Sequence, residues 1–181
     1  MGKSTVLTLV GSLRAASINR QLAEAAAHAA PDHVDVIRYD GLDEIPFYNE
    51  DLDTDDPPAA VGALRAAVAN ADAVLIVTPE YNGTIPAVLK NAIDWLSRPY
   101  GNSAIKDKPL AVVGTAMGRF GGVWAHDETR KSFGIAGARV VDSITLSLPV
   151  AALDGEHPRK SSEVTESLRD ALAQLVAQVD S

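Results

Sequence analysis

The chain has 181 residues, of which 46% are hydrophobic, and it carries a formal net charge of −8. That length is enough for one sizeable core and short for two, so we expect one domain over residues 1–181, and the acidic balance argues against nucleic-acid binding. The absence of cysteine excludes thiol nucleophiles, disulfides and cysteine-ligated metals, so any redox chemistry requires a bound group.

Short β-branched runs alternate with longer Ala- and Leu-rich segments, a pattern that favours parallel strands joined by helical crossovers. The first apolar run, Thr5–Val10, is too short for a signal peptide or a membrane span, so we expect a cytoplasmic protein without membrane contact. Five strands are predicted, several of them continuous apolar runs that helices would cover on both faces: Val6–Val10, Val34–Tyr39, Ala73–Val77, Leu110–Gly114 and Val140–Leu146.

Helices are predicted between and after these strands, from apolar stripes at helical spacing and from proline at two helix starts. Their bounds are Ser17–Ala30, Pro58–Asn70, Pro86 to about Leu96, and Ser162–Val179. The acidic segment Asn49–Pro58 is predicted to be a surface loop and a candidate lid. The histidines follow no metal-ligand spacing, so no metal site is expected.

Five β/α units in this order indicate a flavodoxin-like, doubly wound α/β fold with sheet order 2-1-3-4-5 and helices on both faces. Ligands of such sheets bind beyond the carboxyl ends of the strands, at the switch point of the strand order. That rule selects the loops after strands one, three and four.

The loop after the first strand combines hydroxyl, guanidinium and amide groups with the start of a helix: Ser12, Arg14, Ser17 and Asn19. Unpaired N–H groups and the helix dipole favour an anion there. The loop lacks the glycine spacing of a dinucleotide fold and the Gly-Lys-Ser/Thr of a Walker loop, so a monophosphate fits better. Alternatively, Ser17 only caps the helix, while Ser12 and Asn19 form hydrogen bonds within the turn.

The loops after strands three and four can line a planar ring. Two prolines stiffen the first of them, where Tyr81 offers an apolar wall and the N–H groups of Asn82 and Gly83 can reach a heterocycle edge. The second, Thr115 to Gly122, is again rich in glycine. A carboxylate in a turn, such as that of Glu80, is usually solvated or bonded to nearby N–H groups, so no catalytic side chain is predicted.

Together these blocks resemble the NADPH-dependent FMN reductase family, which includes chromate, quinone and azo-dye reductases. The blocks are Gly11-Ser12-Leu13-Arg14 with Ser17 and Asn19, Pro79-Glu80-Tyr81-Asn82, Leu89 to Ser97, and Met117-Gly118 with Gly121-Gly122. The resemblance implies that the FMN phosphate is held by Ser12, Arg14, Ser17 and Asn19. It implies that the isoalloxazine ring is lined by Pro79, Glu80, Tyr81, Asn82 and Gly83, and that its other edge is bordered by Thr115, Met117, Gly118 and Gly121.

The activity implied by the resemblance is that of an oxidoreductase containing FMN and dependent on NADPH or NADH. Hydride would pass through flavin N5, by a ping-pong scheme, to a small acceptor: a quinone, free flavin, azo compound or metal oxyanion. One alternative is a flavodoxin-type electron carrier without NAD(P)H oxidase activity of its own, and another is a nucleotide-binding hydrolase that uses the same phosphate cradle. Arg119 is a candidate to receive the nicotinamide cofactor's phosphates, or else a solvated surface arginine.

The helix after Pro86 carries two apolar stripes, one of Leu89, Ile93 and Leu96 and one of Val88, Ala92 and Trp95. One sheet does not easily cover both, so we expect a homodimer or homotetramer, unless Trp95 packs beneath a loop of its own chain. The family resemblance also implies dimers or tetramers, with the flavin sites near the interface.

Overall fold

A computed structural model describes residues 2–179; residues 1, 180 and 181, at the ends of the predicted domain, lie outside the described part. Its parallel strands form one sheet in the order β2-β1-β3-β4-β5, with β6 paired to the far end of β4. Their bounds are Ser4–Val10 (β1), Val34–Tyr39 (β2), Ala73–Val77 (β3), Pro109–Ala116 (β4), Arg139–Val140 (β5) and Ser147–Pro149 (β6). The predicted strand order is confirmed.

Helices cover both faces of this sheet. Their bounds are Ile18–Ala29 (α1), Ala59–Asn70 (α2), Ala87–Leu96 (α3), Val123–Ile135 (α4) and Ser162–Val176 (α5). The core between α1, α5 and the sheet includes Leu22 and Leu168, and the core on the opposite face, under α2, α3 and α4, includes Leu64, Leu89 and Phe133. Within residues 2–179, no helix combines the length and the apolarity that crossing a bilayer demands.

The register of the central strands brings the loops of interest together. Val10 at the end of β1 is paired with Val77 at the end of β3, and Val77 is paired with Val113 in β4. The chain therefore leaves these three strands at one edge of the sheet, as the switch-point rule requires.

The predicted strand Val140–Leu146 is wrong, because residues 141–146 lie outside the strands. β5 pairs with the first residues of β4, whereas β6 pairs with Gly114 to Ala116 at its end. In the stretch between β5 and β6, the guanidinium of Arg130 on α4 donates to the carbonyl oxygens of Val112, at 2.9 Å, and Ile144, at 3.0 Å. A buried side chain thus supplies hydrogen bonds where a continuous strand would have formed a ladder.

The second apolar stripe of α3 is covered by the same chain. Trp95 is fully buried, its indole N–H donates to the carbonyl oxygen of Pro46 at 2.8 Å, and its ring meets Tyr48 edge-on with centroids 4.9 Å apart. The argument that this stripe requires a second copy is therefore wrong. The alternative, that Trp95 packs beneath a loop of its own chain, is confirmed.

The acidic segment 49–58 is fastened to α2. Asp53 forms an ion pair with Arg65 at 2.8 Å, and both side chains are largely buried, with 14% and 16% exposure. Arg65 also donates to the carbonyl oxygen of Trp95 at 3.0 Å, near the end of α3. These bonds hold the segment as a fixed surface loop, which argues against the predicted lid.

Candidate active site

A cleft of about 430 Å³ opens where β1, β3 and β4 end. It is lined by residues from all three selected loops and from the segment after β6: Ser12, Arg14, Ser17, Ile18, Asn19, Pro79, Glu80, Tyr81, Thr115, Ala116, Met117, Gly118 and Val150. Of the residues predicted to bind a cofactor, all but Asn82, Gly83 and Gly121 are in this lining.

The start of α1 forms one end of the cleft. Ser17 is the N-cap residue, and its hydroxyl oxygen accepts from the N–H of Arg20 at 3.4 Å, while the side chain also lies in the cleft lining. The first-turn N–H groups of a helix lack acceptors within the helix, and the dipole makes this end positive. With Arg14 beside it in the lining, this end of the cleft suits an anion.

Asn19 joins α1 to β4. Its side-chain N–H donates to the carbonyl oxygen of Thr115 at 2.9 Å, and its Oδ1 accepts from the Thr115 N–H at 3.0 Å. The amide therefore bridges two elements, rather than bonding within its own turn. Its second N–H is the part left for a ligand, since an amide nitrogen carries two donors.

The second loop contains a tight hairpin. Tyr81 and Thr84 exchange backbone hydrogen bonds of 3.2 and 3.1 Å, and Asn82 and Gly83 between them have φ of 52° and 75°. Asn-Gly favours this two-residue turn because both positions need positive φ. The tip lies outside the cleft lining, while the Tyr81 hydroxyl approaches the Ser12 hydroxyl at 3.4 Å and links the first loop to the second.

Glu80 connects the cleft to α4. Its carboxylate accepts from the N–H of Ala125 at 3.2 Å, in the first turn of a helix whose N-cap residue, Gly122, has no side chain to bond. Glu80 thus bonds an N–H group of another element, 45 positions away, rather than one within its own turn. Its negative charge is stabilised by the positive end of α4.

Thr78, directly after β3, packs so closely against Gly11 and Gly114 that neither position has room for a side chain. A Cβ on Gly11 would lie 2.2 Å from the Thr78 hydroxyl oxygen, and one on Gly114 would lie 2.0 Å from the Thr78 carbonyl oxygen. The glycine that opens the first loop is therefore required by strand packing. The adjoining Pro79 is thereby fixed at the cleft.

Sequence reasoning missed His126, which supports the same turn from α4. Its Nε2 donates to the Thr78 carbonyl oxygen at 2.9 Å, which leaves Nδ1 of the neutral ring to accept from the Ser147 hydroxyl at 2.6 Å. Burial lowers the pKa of His126 and favours that neutral form. A lone histidine carries no spacing signal, so only its position in the fold identifies this contact.

The third loop divides into an exposed and a packed part. Met117 is 84% exposed and, with Gly118, forms the outer wall of the cleft. Gly121 is buried with φ of 64°, and a Cβ there would lie 2.6 Å from the backbone of Ser147 and Leu148. Gly121 thus packs the loop against β6, outside the cleft lining.

The lining fits a group that carries a phosphate on an apolar planar ring, as FMN does. The helix start, Ser12 and Arg14 suit the phosphate, and Pro79, Tyr81 and Met117 provide apolar surface for a ring. The Thr115 hydroxyl oxygen is buried without a protein partner beside the cleft, which is the kind of group that a ligand satisfies.

The sheet order defines a flavodoxin-like α/β protein, and the cleft at the carboxyl edge of its sheet suits a phosphorylated ring. The family model described as NADPH-dependent FMN reductase matches residues 4–153, and the chain belongs to this family. The resemblance inferred from the sequence is confirmed. The protein is accordingly an oxidoreductase with FMN as cofactor and a reduced nicotinamide as electron donor.

Individual relatives agree with this assignment. A quinone reductase of Pseudomonas putida is 40% identical over 151 residues, which are 83% of this chain and 78% of the relative. A 2-hydroxy-1,4-benzoquinone reductase of a Burkholderia species is 46% identical over 127 residues, 69% of this chain and 67% of the relative. Among solved structures, FerB, a flavoenzyme NAD(P)H:(acceptor) oxidoreductase from Paracoccus denitrificans, superposes with a TM-score of 0.85 at 30% identity and covers 98% of this chain and 97% of its own.

Proposed function

We propose that this protein is an NAD(P)H-dependent quinone reductase that works by a ping-pong scheme. The observation that carries the proposal is the single cleft in which a positive helix start, Ser12 and Arg14 face the aromatic and apolar groups of the other two loops. Relatives named quinone reductases support the choice of acceptor. Free flavin, azo compounds and metal oxyanions are further acceptors that an open site of this kind admits.

FMN, when bound, supplies the hydride chemistry. In the overall reaction NAD(P)H, one solvent proton and a quinone give NAD(P)⁺ and a hydroquinone, so two electrons and two protons reach the quinone. The chain binds and orients the reactants: the start of α1, Ser12 and Arg14 hold the phosphate, while Pro79, Tyr81 and Met117 hold the ring.

No proton transfer by a side chain is required. Glu80, the carboxylate of the cleft, is engaged with the N–H of Ala125. We propose that its role is to fix the turn after β3 against α4, so that Pro79 and Tyr81 keep their positions beside the ring. The proton that completes the hydroquinone then comes from water.

An absorbance spectrum and an anaerobic titration test the function. The protein purified with FMN should be yellow, NADPH should bleach the flavin band in a two-electron step, and 1,4-naphthoquinone should restore it. Initial rates at several fixed acceptor concentrations should give parallel double-reciprocal lines. A colourless protein that hydrolyses nucleotides would favour the hydrolase, and a flavoprotein that NADPH does not reduce would favour the electron carrier.

We also propose that copies of the chain associate as a homodimer or homotetramer. Tyr100 and Ile135 are 89% and 79% exposed and border a groove of about 430 Å³ between α3 and α4. Large apolar side chains so exposed beside a groove are typical of association surfaces. Light scattering at micromolar concentration should give the mass of two or four chains, and a monomeric mass would contradict the proposal.

A further inference from the structure

An aromatic pair lies beside the cleft and takes no part in the assignments above. Phe120 and Trp124 are 48% and 57% exposed, and their ring centroids are 5.8 Å apart at an angle of 49°. We propose that this pair, the aromatic wall, selects planar acceptors with fused rings over acceptors with a single ring. The inference rests on the proposed function.

The aromatic wall is continuous with the cleft along the chain and through space. Met117 and Gly118, which line the cleft, precede Phe120 in the third loop with only Arg119 between, and Trp124 follows in the first turn of α4. A Cβ on Gly83, at the hairpin tip, would lie 3.9 Å from the Trp124 ring, so the wall also touches the second loop. The bond from Glu80 to the N–H of Ala125 fixes the helix turn that carries Trp124.

Arg119 stabilises one side of the wall. Its guanidinium carbon lies 4.4 Å from the Phe120 ring centroid, a cation–π contact made by an exposed side chain. The Trp124 ring, at 57% exposure, offers the larger free surface. The wall thus presents an anchored aromatic surface at the mouth of a redox site.

Such a surface can discriminate between acceptors by their number of fused rings. Because FMN would occupy the cleft, an acceptor would bind at its mouth, where a second fused ring would extend past Met117 toward the wall and a single ring would not reach it. Aromatic pairs prefer offset or edge-to-face arrangements and gain attraction beyond simple burial. A fused-ring acceptor therefore makes a contact that a single-ring acceptor does not.

The kinetic test uses the FMN-loaded enzyme with 1,4-naphthoquinone and 1,4-benzoquinone. Trp124→Ala should raise the KM for the two-ring quinone by roughly 3- to 10-fold, the loss of one aromatic contact, and leave the KM for the one-ring quinone unchanged. The rate of flavin reduction by NADPH, measured by stopped flow, should not change. Ile37→Ala removes an exposed apolar side chain from β2, outside the cleft lining, and should alter neither quinone's KM.

A binding measurement provides a readout besides turnover. Titration calorimetry of the oxidised enzyme with naphthalene-2-sulfonate and benzenesulfonate, which are not reduced, should show tighter binding of the two-ring compound. Trp124→Ala should abolish the difference and Trp124→Phe should keep most of it. FMN content and near-ultraviolet circular dichroism establish that each variant is folded.

Three results would overturn the inference. If Trp124→Ala raised the KM for both quinones by the same factor, the wall would not discriminate acceptors by their number of rings. Slower flavin reduction, or a higher KM for NADPH, in Trp124→Ala or Arg119→Ala would assign the wall to the nicotinamide cofactor. A smaller assembly mass in Trp124→Ala would make it an interface between copies. A wild-type protein that does not bind FMN or oxidise NADPH would instead overturn the proposed function, and the inference with it.

Discussion

Thr78 and its two glycine neighbours show how single residues shape the cleft. Gly11 and Gly114 leave no room for a Cβ against Thr78, and His126 bonds the same residue's carbonyl oxygen. The three strand ends therefore approach closely at this point. The loops that leave them are held at a fixed separation.

Gly114→Ala should lower the free energy of unfolding by at least about 3 kcal/mol, or prevent folding, because the clashing atom is a backbone carbonyl oxygen that cannot rotate away. Gly62→Ala is the matched control: this glycine lies in α2 with no atom within 4 Å of the added Cβ. It should raise stability by roughly 0.5–1 kcal/mol through helix propensity. Urea denaturation measures both, and equal midpoints for the two variants would contradict the packing argument.

His126 should make stability depend on pH. Burial lowers the pKa of His126 in the folded protein, whereas the unfolded chain takes up the proton near pH 6.5. Below that pH the unfolded state binds more protons than the folded state. The free energy of unfolding therefore decreases as the pH is lowered, by up to about 1.4 kcal/mol per pH unit. Above about pH 6.5 the free energy of unfolding does not decrease for this reason.

The measurement compares urea denaturation of the wild type and His126→Gln at about pH 7.5 and about pH 5.5. The variant should lose less stability than the wild type between these two values, whatever its stability at the higher one. The exposed His28, changed to Gln, serves as the control and should leave the wild-type dependence intact. Identical losses in wild type and His126→Gln would exclude His126 as the responsible group.

Local chemistry made some of the site residues predictable and others not. The N-cap role of Ser17 follows from its residue type and its position at a helix start. The partner of Asn19 does not, because its amide bonds Thr115, 96 positions away. A polar side chain in the first turn of a helix carries no sign of whether it serves a ligand or another strand.

At the scale of elements, α4 and the divided fifth strand form one unit. Arg130 projects from α4 and donates to the carbonyl oxygens of Val112 and Ile144, where β4 has no strand partner on the side away from β3. It also forms an ion pair with Asp127 at 3.0 Å, one turn earlier in the helix. The sheet is completed at this edge by a side chain.

Arg130→Met should therefore destabilise the folded protein. It leaves two buried carbonyl oxygens without a donor, and we expect the free energy of unfolding to fall by about 2–4 kcal/mol. Hydrogen exchange should also speed up at the Gly114 N–H, which bonds the carbonyl oxygen of Leu146 next to the gap. Lys131→Met, at a neighbouring side chain with 65% exposure, is the control and should change neither quantity.

Sequence periodicity failed in this unit for a physical reason. Val140–Leu146 has the composition of a strand, and nothing in it indicates that a donor from another element replaces the ladder. Along α4 the pattern is partly inverted, since His126 and Arg130 are buried while Trp124 and Ile135 are exposed. A helix with that arrangement shows no clear apolar stripe, so its bounds cannot be predicted from periodicity.

At the scale of the whole molecule, the fold was predictable because the alternation of strands and helices determines the sheet order with few alternatives. The position of the cleft followed from that order. The sequence does not show which loop covers the second apolar stripe of α3, because that depends on the contact between Trp95 and Pro46, which are distant in sequence. The proposed assembly therefore rests on the exposed groove between α3 and α4.

The division of the fifth strand also bears on how the chain can change length. β5 and β6 are each paired with β4 independently, so neither register depends on the number of residues that connect them. A peptide inserted at Asp142 or Ser143, both exposed, would lengthen a surface turn without displacing either pairing. This turn is consequently the natural position for an affinity tag or a fused reporter domain in an otherwise closely packed enzyme.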